Sequence, residues 1–528
     1  MTDIKQFWEQ QHQDRNQALL SGCGMQETIE FLKLDDIIQP GMRVLEVGIG
    51  QGYVTRGLAA HHLISAVDIS ELALDSVRDI CENIWLDTEI ENLPSDYFDI
   101  IICHNVAQHV PTSDLERLLQ HLIRSLRPQG VFALEYVRKT GVEDAGIEPS
   151  LDMIRTGWLC RSDHLMQNLI TRHSGSVDIV RSHDIVHKII SGVTVVHVRK
   201  LKYFDQKKIM ITGGTGSWGQ TLARMLLERY DPKEITIFSR GELQQVLMQR
   251  RFQDHRLRFV IGDVRDYDSV RWAMRDVNVV FHLAALKHVP ICEDHPQEAI
   301  KTNIMGTTNV VNAALENKVA KVIDVSTDKA VEPLNLYGMT KSVGERLMLQ
   351  ANDLGSTTQF VCIRGGNVMG SNGSVVPYFI EQIRSGGPVT ITDLGMTRFF
   401  LTLEEAIGLL FKAAEHSIGG ETFVMNMPAC RIRDVAEVLM QSLGRVAVRE
   451  IGAKPGEKLD EMLISHHEAP LARKFDDNYF VILPFRASPV LLDHYQDSPR
   501  FEHSEFSSRT KLMDLPEIKT MLEKGGFL

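Results

Sequence analysis

The chain of 528 residues has no Cys-x-x-Cys pair among its seven cysteines, Cys23, Cys81, Cys103, Cys160, Cys292, Cys362 and Cys430. An odd count without such pairs excludes a disulfide framework and predicts reduced, mostly buried thiols. His61-His62 and His466-His467 are adjacent rather than four apart, so neither offers a helical ligand pair and no metal is expected. Positive charge is also short. Against 69 Asp and Glu stand 57 Lys and Arg, and the net charge of −12 argues against a general polyanion binder and against nucleic acid. No run approaches the ~20 apolar residues of a membrane-crossing helix, and the polar opening Met-Thr-Asp-Ile-Lys-Gln lacks the apolar core of a secretory leader. A cytoplasmic protein without a membrane span is the expectation. A hydrophobic content of 43% with 24% charged residues fits a folded chain, and its length, at roughly 100 to 200 residues per domain, predicts two to four domains.

Two glycine-rich turns are present, each behind an apolar strand and ahead of a helical pattern. In Arg43-Val-Leu-Glu-Val-Gly-Ile-Gly-Gln-Gly52, the glycines Gly48, Gly50 and Gly52 alternate behind the acidic Glu46. The next strand-like run, Leu63-Ile-Ser-Ala-Val-Asp68, ends in an acid, which in a nucleotide fold accepts hydrogen bonds from ribose hydroxyls. A further strand, Phe98-Asp-Ile-Ile-Ile-Cys103, runs into His104 and His109, the candidates for a base in this half. Residues 25–203 resemble the class I S-adenosylmethionine-dependent methyltransferases. The resemblance implies S-adenosylmethionine held by Glu46, Gly48, Gly50, Gly52 and Asp68, and it makes Val177-Asp-Ile-Val-Arg181 and Gly192-Val-Thr-Val-Val-His-Val-Arg199 the closing antiparallel strands.

The second turn, Thr212-Gly-Gly-Thr-Gly-Ser-Trp-Gly219, spaces Gly213, Gly216 and Gly219 by three and carries Thr215, Ser217 and Trp218 among them. A dinucleotide diphosphate would rest on the N-terminus of the helix that follows. The strand Glu234-Ile-Thr-Ile-Phe238 then ends in Ser239-Arg240. An acid there grips a ribose 2′-hydroxyl, whereas arginine suits a 2′-phosphate, so NADP is expected over NAD. Asp263, at the tip of a third strand, suits the adenine edge, and the small Ala284 and Ala285 after a fourth let a cofactor approach the backbone, with Lys287 a further diphosphate contact. The fifth strand, Lys321-Val-Ile-Asp-Val-Ser326, delivers Thr327, Asp328 and Lys329 at its carboxyl end, where open α/β sheets bind ligands. Tyr337 and Lys341 follow, four apart and on one helix face, so that the ammonium can ready the phenol for proton transfer.

Residues 207–528 resemble the extended short-chain dehydrogenase/reductases, and among them the inverting UDP-N-acetylglucosamine 4,6-dehydratases of surface-sugar biosynthesis. The match lies in the segments just quoted and in Lys301-Thr-Asn303, Gly366-Asn-Val-Met-Gly370, Met396-Thr-Arg-Phe399 and Lys454-Pro-Gly-Glu-Lys-Leu-Asp-Glu461. Gly365 departs from the pattern, because these enzymes usually carry tyrosine after the arginine.

The expected fold is α/β, with two Rossmann-like doubly wound domains. Residues 1–203 form the first and 207–528 the second, whose NADP-binding core spans about 207–365 and whose small C-terminal substrate-binding region lies mainly in 366–528. The resemblance implies a tightly bound, recycled NADP, a UDP-sugar substrate and self-association through the second domain. Tyr337, its pKa lowered by Lys341, would take the 4-hydroxyl proton, neutral Lys329 would remove the C5 proton, and Asp328 would donate one to the departing 6-hydroxyl. Thr327 would bond the sugar or cap its own strand, and Asn367, Arg398 and Lys458 would contact sugar and phosphates. The competing readings are a nucleotide-sugar epimerase or a dehydratase of other regiochemistry, with a non-catalytic methyltransferase-like scaffold, and a dinucleotide-sensing regulator.

Overall fold

The computed structural model describes residues 25–104, 106–107, 110–139, 163–172, 175–184, 190–370, 374–452 and 456–528. The chain divides into two units, Met1–Lys202 and Tyr203–Leu528. His109 lies outside the described residues.

In the first unit, seven strands form one sheet: β1 (Arg43–Val47), β2 (Leu63–Asp68), β3 (Asn83–Leu86), β4 (Phe98–Cys103), β5 (Leu126–Lys139), β6 (Gly175–Asp184) and β7 (Ile190–Lys200). Their order is β3-β2-β1-β4-β5-β7-β6. The first five run parallel, while β7 pairs antiparallel with both β5 and β6. This is the antiparallel closure expected of residues 177–181 and 192–199. Strands β1, β2 and β4 are near-continuous apolar runs because parallel strands are covered on both faces. Each glycine of the first turn has positive φ, +75° at Gly48, +55° at Gly50 and +69° at Gly52, so the chain reverses tightly between β1 and helix α1 (Tyr53–Ala59).

The second unit is built on nine strands. β8 (Lys208–Thr212), β9 (Glu234–Ser239), β10 (Leu257–Ile261), β11 (Val279–His282), β12 (Lys321–Thr327) and β13 (Gln359–Gly365) are followed by β14 (Thr422–Met425), β15 (Ala472–Lys474) and β16 (Tyr479–Ile482). They lie in the order β10-β9-β8-β11-β12-β13-β14-β16-β15. The first seven are parallel, β16 runs antiparallel to them, and β15 runs antiparallel to β16. Helix α2 (Ser217–Arg229) covers one face with Leu222, Ala223, Met225 and Leu226, beside the helix Leu403–His416. On the other face pack Val310, Val311, Ala313 and Ala314 of the helix Gly306–Glu316 and Met348 of α3 (Leu336–Gln350). The sheet is therefore doubly wound, with its carboxyl-end loops gathered on one edge.

Beyond the NADP-binding core expected at about 207–365, β14, β15 and β16 join the same sheet. β14 pairs with β13 and closes what would otherwise be an open edge, and Phe423 of β14 and Val481 of β16 join the core beside it. The remaining C-terminal elements form a layer around Phe379, Val435, Leu439, Ile518 and Leu522. The tail past Ala487 joins the core as well, through Leu491 and Tyr495 and then Phe501 and Phe506.

At Gly219, in the first turn of α2, a side chain cannot be added without backbone movement, since its Cβ would sit 2.5 Å from Gly214 Cα. Gly219→Ala is expected to destabilise the second unit by ~1–3 kcal/mol. Thermal melting checks this, and a wild-type midpoint would contradict it.

Candidate active site

At the carboxyl edge of the second unit's sheet lies a cavity of about 1170 Å³. The turn between β8 and α2 supplies Gly213, Thr215, Gly216, Ser217, Trp218 and Gly219 to its wall, so the unbonded N–H groups that begin α2 face a ready site for a diphosphate. Of these glycines only Gly213 has positive φ (+67°), and its added Cβ would lie 3.0 Å from Ala284. The turn and the loop after β11 thus close on one another backbone to backbone. Ala284, Ala285 and Lys287 line the same wall. Lys287 is exposed, and partial burial of its ammonium lowers its pKa.

At the end of β9, Ser239 is buried against Gln245, whose Nε2 donates to Ser239 Oγ at 3.0 Å. The exposed Arg240 stands 4.0 Å from Asp263, which is itself paired with Arg265 at 2.6 Å. All three of Ser239, Arg240 and Asp263 line the cavity. Three further hydroxyls in its wall, those of Thr302, Ser326 and Ser374, are buried with no hydrogen-bond partner among the described residues. Buried polar atoms of that kind call for a polar ligand, so the cavity fits a dinucleotide.

Where β12 ends, Thr327 caps a short turn by accepting from the Lys329 N–H, and its hydroxyl donates to Asp328 Oδ1 at 2.9 Å. Lys329 Nζ donates to the same Asp328 oxygen at 2.9 Å and lies 3.6 Å from Glu461 Oε1. It also reaches Asn367 Oδ1 at 3.4 Å. Thr327, Lys329, Tyr337, Asn367, Arg398 and Glu461 all line the cavity, but Asp328 is fully buried and does not.

Several expectations are corrected by these contacts. Lys329 is not a neutral amine, because burial disfavours its charge but Asp328 and Glu461 outweigh burial and raise its pKa above the ordinary lysine value. Tyr337 is not acidified, since withdrawal from water raises its pKa more than Lys341 and Lys329 lower it. Lys341 stands behind the cavity wall, where both its Nζ contacts with the Asp324 carboxylate are 3.3 Å and the pair is buried. Lys458 turns from the cavity and donates to the Val331 carbonyl at 2.6 Å. The nearly buried Arg398 spends its guanidinium on the carbonyls of Thr397, Lys458 and Leu459, with its Nε 3.7 Å from Glu461 Oε1. Gly365 meets Trp218, whose Cη2 would lie 3.5 Å from an added Cβ, so the indole fills the space beside it.

Sequence reasoning missed Asp324 and Glu461 as site residues. An acid inside the apolar strand Lys321–Thr327 was the available signal for Asp324. Glu461 ended a quoted motif, but nothing local told that it meets Lys329.

In the first unit, Asp68 Oδ1 accepts from the Ser70 N–H at 2.8 Å and Oδ2 from the Gly50 N–H at 3.4 Å, joining the tip of β2 to the glycine turn. Burial raises Asp68 to about 6 against those hydrogen bonds. Glu46 is also buried, accepts from Thr55 Oγ1 at 2.5 Å and is raised to about 8, chiefly by burial. An acid at a strand tip beside a positive-φ turn fits a ribose-bearing cofactor. At the end of β4, His104 Nδ1 lies 2.8 Å from Glu135 Oε2.

The family described as "Polysaccharide biosynthesis protein" matches residues 209–483. The chain belongs to that family. Residues 44–130 match the family described as "Methyltransferase domain". A UDP-N-acetylglucosamine 4,6-dehydratase (inverting) of Campylobacter jejuni is 46% identical over 284 residues, 53% of this chain and 84% of that protein. A UDP-glucose 4-epimerase of Rickettsia canadensis is 41% identical over 337 residues, 60% of this chain and 96% of the other. The X-ray structure of Pen from Bacillus thuringiensis superposes with a TM-score of 0.58 at 38% identity, over 62% of this chain and all of that one. A nucleotide-sugar dehydratase/epimerase-like domain of the short-chain dehydrogenase/reductase type thus follows a methyltransferase domain. No helix among the described residues is long and apolar enough to cross a membrane.

Because the Glu46 pKa is raised in the folded state, its contribution to stability is full below about 4.5 and is lost as pH rises towards about 8. Glu46→Gln keeps an acceptor for Thr55 without the ionisation. Hydrogen-exchange protection of β1 and α1 should therefore exceed wild type at pH 8 and stay close to it at pH 5. An equal effect at both pH values would contradict this.

Proposed function

We propose that the second unit catalyses an NADP-dependent 4,6-dehydration of UDP-N-acetylglucosamine and that the first transfers methyl groups from S-adenosylmethionine. The observation that carries the first half is the joining of Tyr337, Lys329 and Glu461 in the wall of one cavity with the cofactor turn. Exchange of a hydroxyl proton at C4 needs only the tyrosine, whereas elimination across C5 and C6 also needs a proton acceptor and a donor. The inverting dehydratase of C. jejuni, 46% identical, supports the same choice. The epimerase reading has its own support in the R. canadensis relative at 41% identity, but it leaves the charged group around Lys329 without a task.

When bound, the nicotinamide would accept hydride from C4 and return it to C6. The exposed Arg240, beside Asp263, offers its guanidinium to a 2′-phosphate, which favours NADP. Tyr337, brought to its phenolate only when the charge of a bound nicotinamide adds to that of Lys341, would take the 4-hydroxyl proton, and Lys341, tied to Asp324, keeps a positive charge behind the phenol. Asn367 and Thr327 orient the sugar beside Lys329. In the first unit, Asp68 and the Gly48, Gly50 and Gly52 turn would hold the methyl donor, with Glu46 buttressing the turn through Thr55. His104, oriented by Glu135, is the described group best placed to accept a proton from the methyl acceptor. Self-association through the dehydratase-like unit and a cytoplasmic location complete the proposal.

Incubation with UDP-N-acetylglucosamine in deuterated water, followed by mass and NMR analysis, tests the reading. Expected are loss of one water, deuterium at C5, NADP released on denaturation, and a methyl-bearing product only when S-adenosylmethionine and an acceptor are added. A product that retains its 6-hydroxyl would overturn the dehydratase assignment.

A further inference from the structure

The second unit buries a carboxylate to which the proposed chemistry gives no step of its own. Asp324 lies in the middle of β12 and is wholly enclosed, and Lys341 reaches it from α3, with Nζ 3.3 Å from each carboxylate oxygen. Neither residue lines the cavity. Sheet register sets what surrounds the pair. Asp324 lies opposite His282 of β11 on one side and Cys362 of β13 on the other, so the three side chains stand in a row on one face of the sheet.

His282 has nothing to offer Lys341. In the helix Gly306–Glu316, the Thr307 hydroxyl gives its proton to the Asn303 carbonyl at 2.7 Å, so at 3.2 Å from His282 Nε2 it accepts. Nδ1 is then the bare nitrogen, and it takes the Thr212 hydroxyl proton at 2.7 Å. Burial keeps this imidazole neutral by pushing its pKa down to about 4. Burial likewise holds Cys362 as a thiol, its pKa well above the ordinary value. Along α3, Glu345 is paired with Arg364 at 2.8 Å, and Tyr337, which faces Lys341, Lys329 and Asp328, keeps its proton because burial raises its pKa. Of these groups, Asp324 alone brings an uncommitted negative charge to Lys341. Building on the reading of Tyr337 as the base for the sugar hydroxyl, we propose that Asp324 is a positioning residue for that step, the counter-ion that keeps Lys341 an ammonium behind the phenol.

Burial works against the charge of Lys341, and Asp324 is the strongest influence in its favour, leaving the pKa above the ordinary lysine value. A fully buried lysine without such a partner titrates as much as ~3–5 pH units below that value. Lys341 would then be a neutral amine at neutral pH. The phenol of Tyr337 would lose the charge that most favours its ionisation and would keep the burial that opposes it. Asp324 also fixes where the ammonium stands, because its carboxylate belongs to a strand paired on both sides. A carboxylate that never meets the substrate thus sets the pH at which the sugar hydroxyl can be deprotonated.

Asp324→Asn keeps the shape and an acceptor but not the charge. With ¹³C at lysine Cε, assigned through Lys341→Arg, NMR of the ligand-free wild type should show no deprotonation of Lys341 below 10.5. Asp324→Asn should bring that step down by about two pH units or more. In turnover of UDP-N-acetylglucosamine with NADP, the acid limb of kcat should move up by about one pH unit or more in the variant. A wild-type step below 10.5, a lysine that titrates alike in both proteins, or an acid limb that stays in place would overturn the proposal. Should Asp324→Asn not fold, the double variant Asp324→Asn/Lys341→Met, in which no charge of the pair is left, is compared with Lys341→Met. It should be no slower, within about twofold. A greater loss would show that Asp324 acts other than through Lys341 and would reject the assignment. If the wild type leaves the sugar untouched, the dehydratase reading fails, and the lysine titration, which needs no sugar, still decides on Asp324.

Discussion

The second unit turns on one ammonium held between two buried carboxylates. Lys329 sits 2.9 Å from Asp328 and 3.6 Å from Glu461, with Arg398 closing the far side of Glu461. Taking such charges out of water costs several kcal/mol per ion, repaid only when each has well-placed partners. Removing one partner of such a buried pair costs about 3–5 kcal/mol, so the cluster is a constraint on the sequence as much as a piece of chemistry. It also links the end of β12 to the C-terminal region. Three further ties run the same way: Arg364 to Glu468, Asn335 to the Gly456 carbonyl, and Lys458 to the Val331 carbonyl. The loop that carries Lys329 and the segment that carries Glu461 are therefore fixed to each other before any ligand arrives, which is what a site must do to hold reacting groups in place.

The two glycine turns solve different problems with the same residue. In the first unit Gly48, Gly50 and Gly52 all take positive φ, and the chain doubles back around the Asp68 carboxylate. In the second only Gly213 does so, and Gly219 serves close packing of α2 on the preceding turn. The difference in spacing, two against three, is thus a difference in backbone path. One turn presents the Gly50 N–H to an acid, and the other leaves the N-terminus of a helix open to the cavity.

Much of this was legible in the sequence because it is local. Apolar runs ending at Asp68, Ser239 and Ser326 gave the strands, their carboxyl ends and hence the edge on which the candidate residues gather. Tyr337 and Lys341 share a helix face as their spacing requires. What escaped was set by distance. Whether Lys329 is charged depends on Glu461, and whether Tyr337 is acidic depends on burial weighed against Lys341, which a motif does not record. The Lys458 contact with Val331 and the enclosure of Asp328 are likewise products of how the C-terminal segment folds back. The strands β14 to β16 were missed for a related reason: strands of three or four residues far along the chain carry little periodic signal, and only the exposed edge of β13 explains their place.

The ionisation of Lys329 is the most direct test of this account. Lysine labelled with ¹³C at Cε, assigned by comparison with Lys329→Arg, can be followed by NMR across pH in the ligand-free protein. The account predicts no deprotonation step for Lys329 below the ordinary lysine pKa of 10.5. A step near neutrality would mean that Asp328 and Glu461 do not hold the charge, and would contradict it.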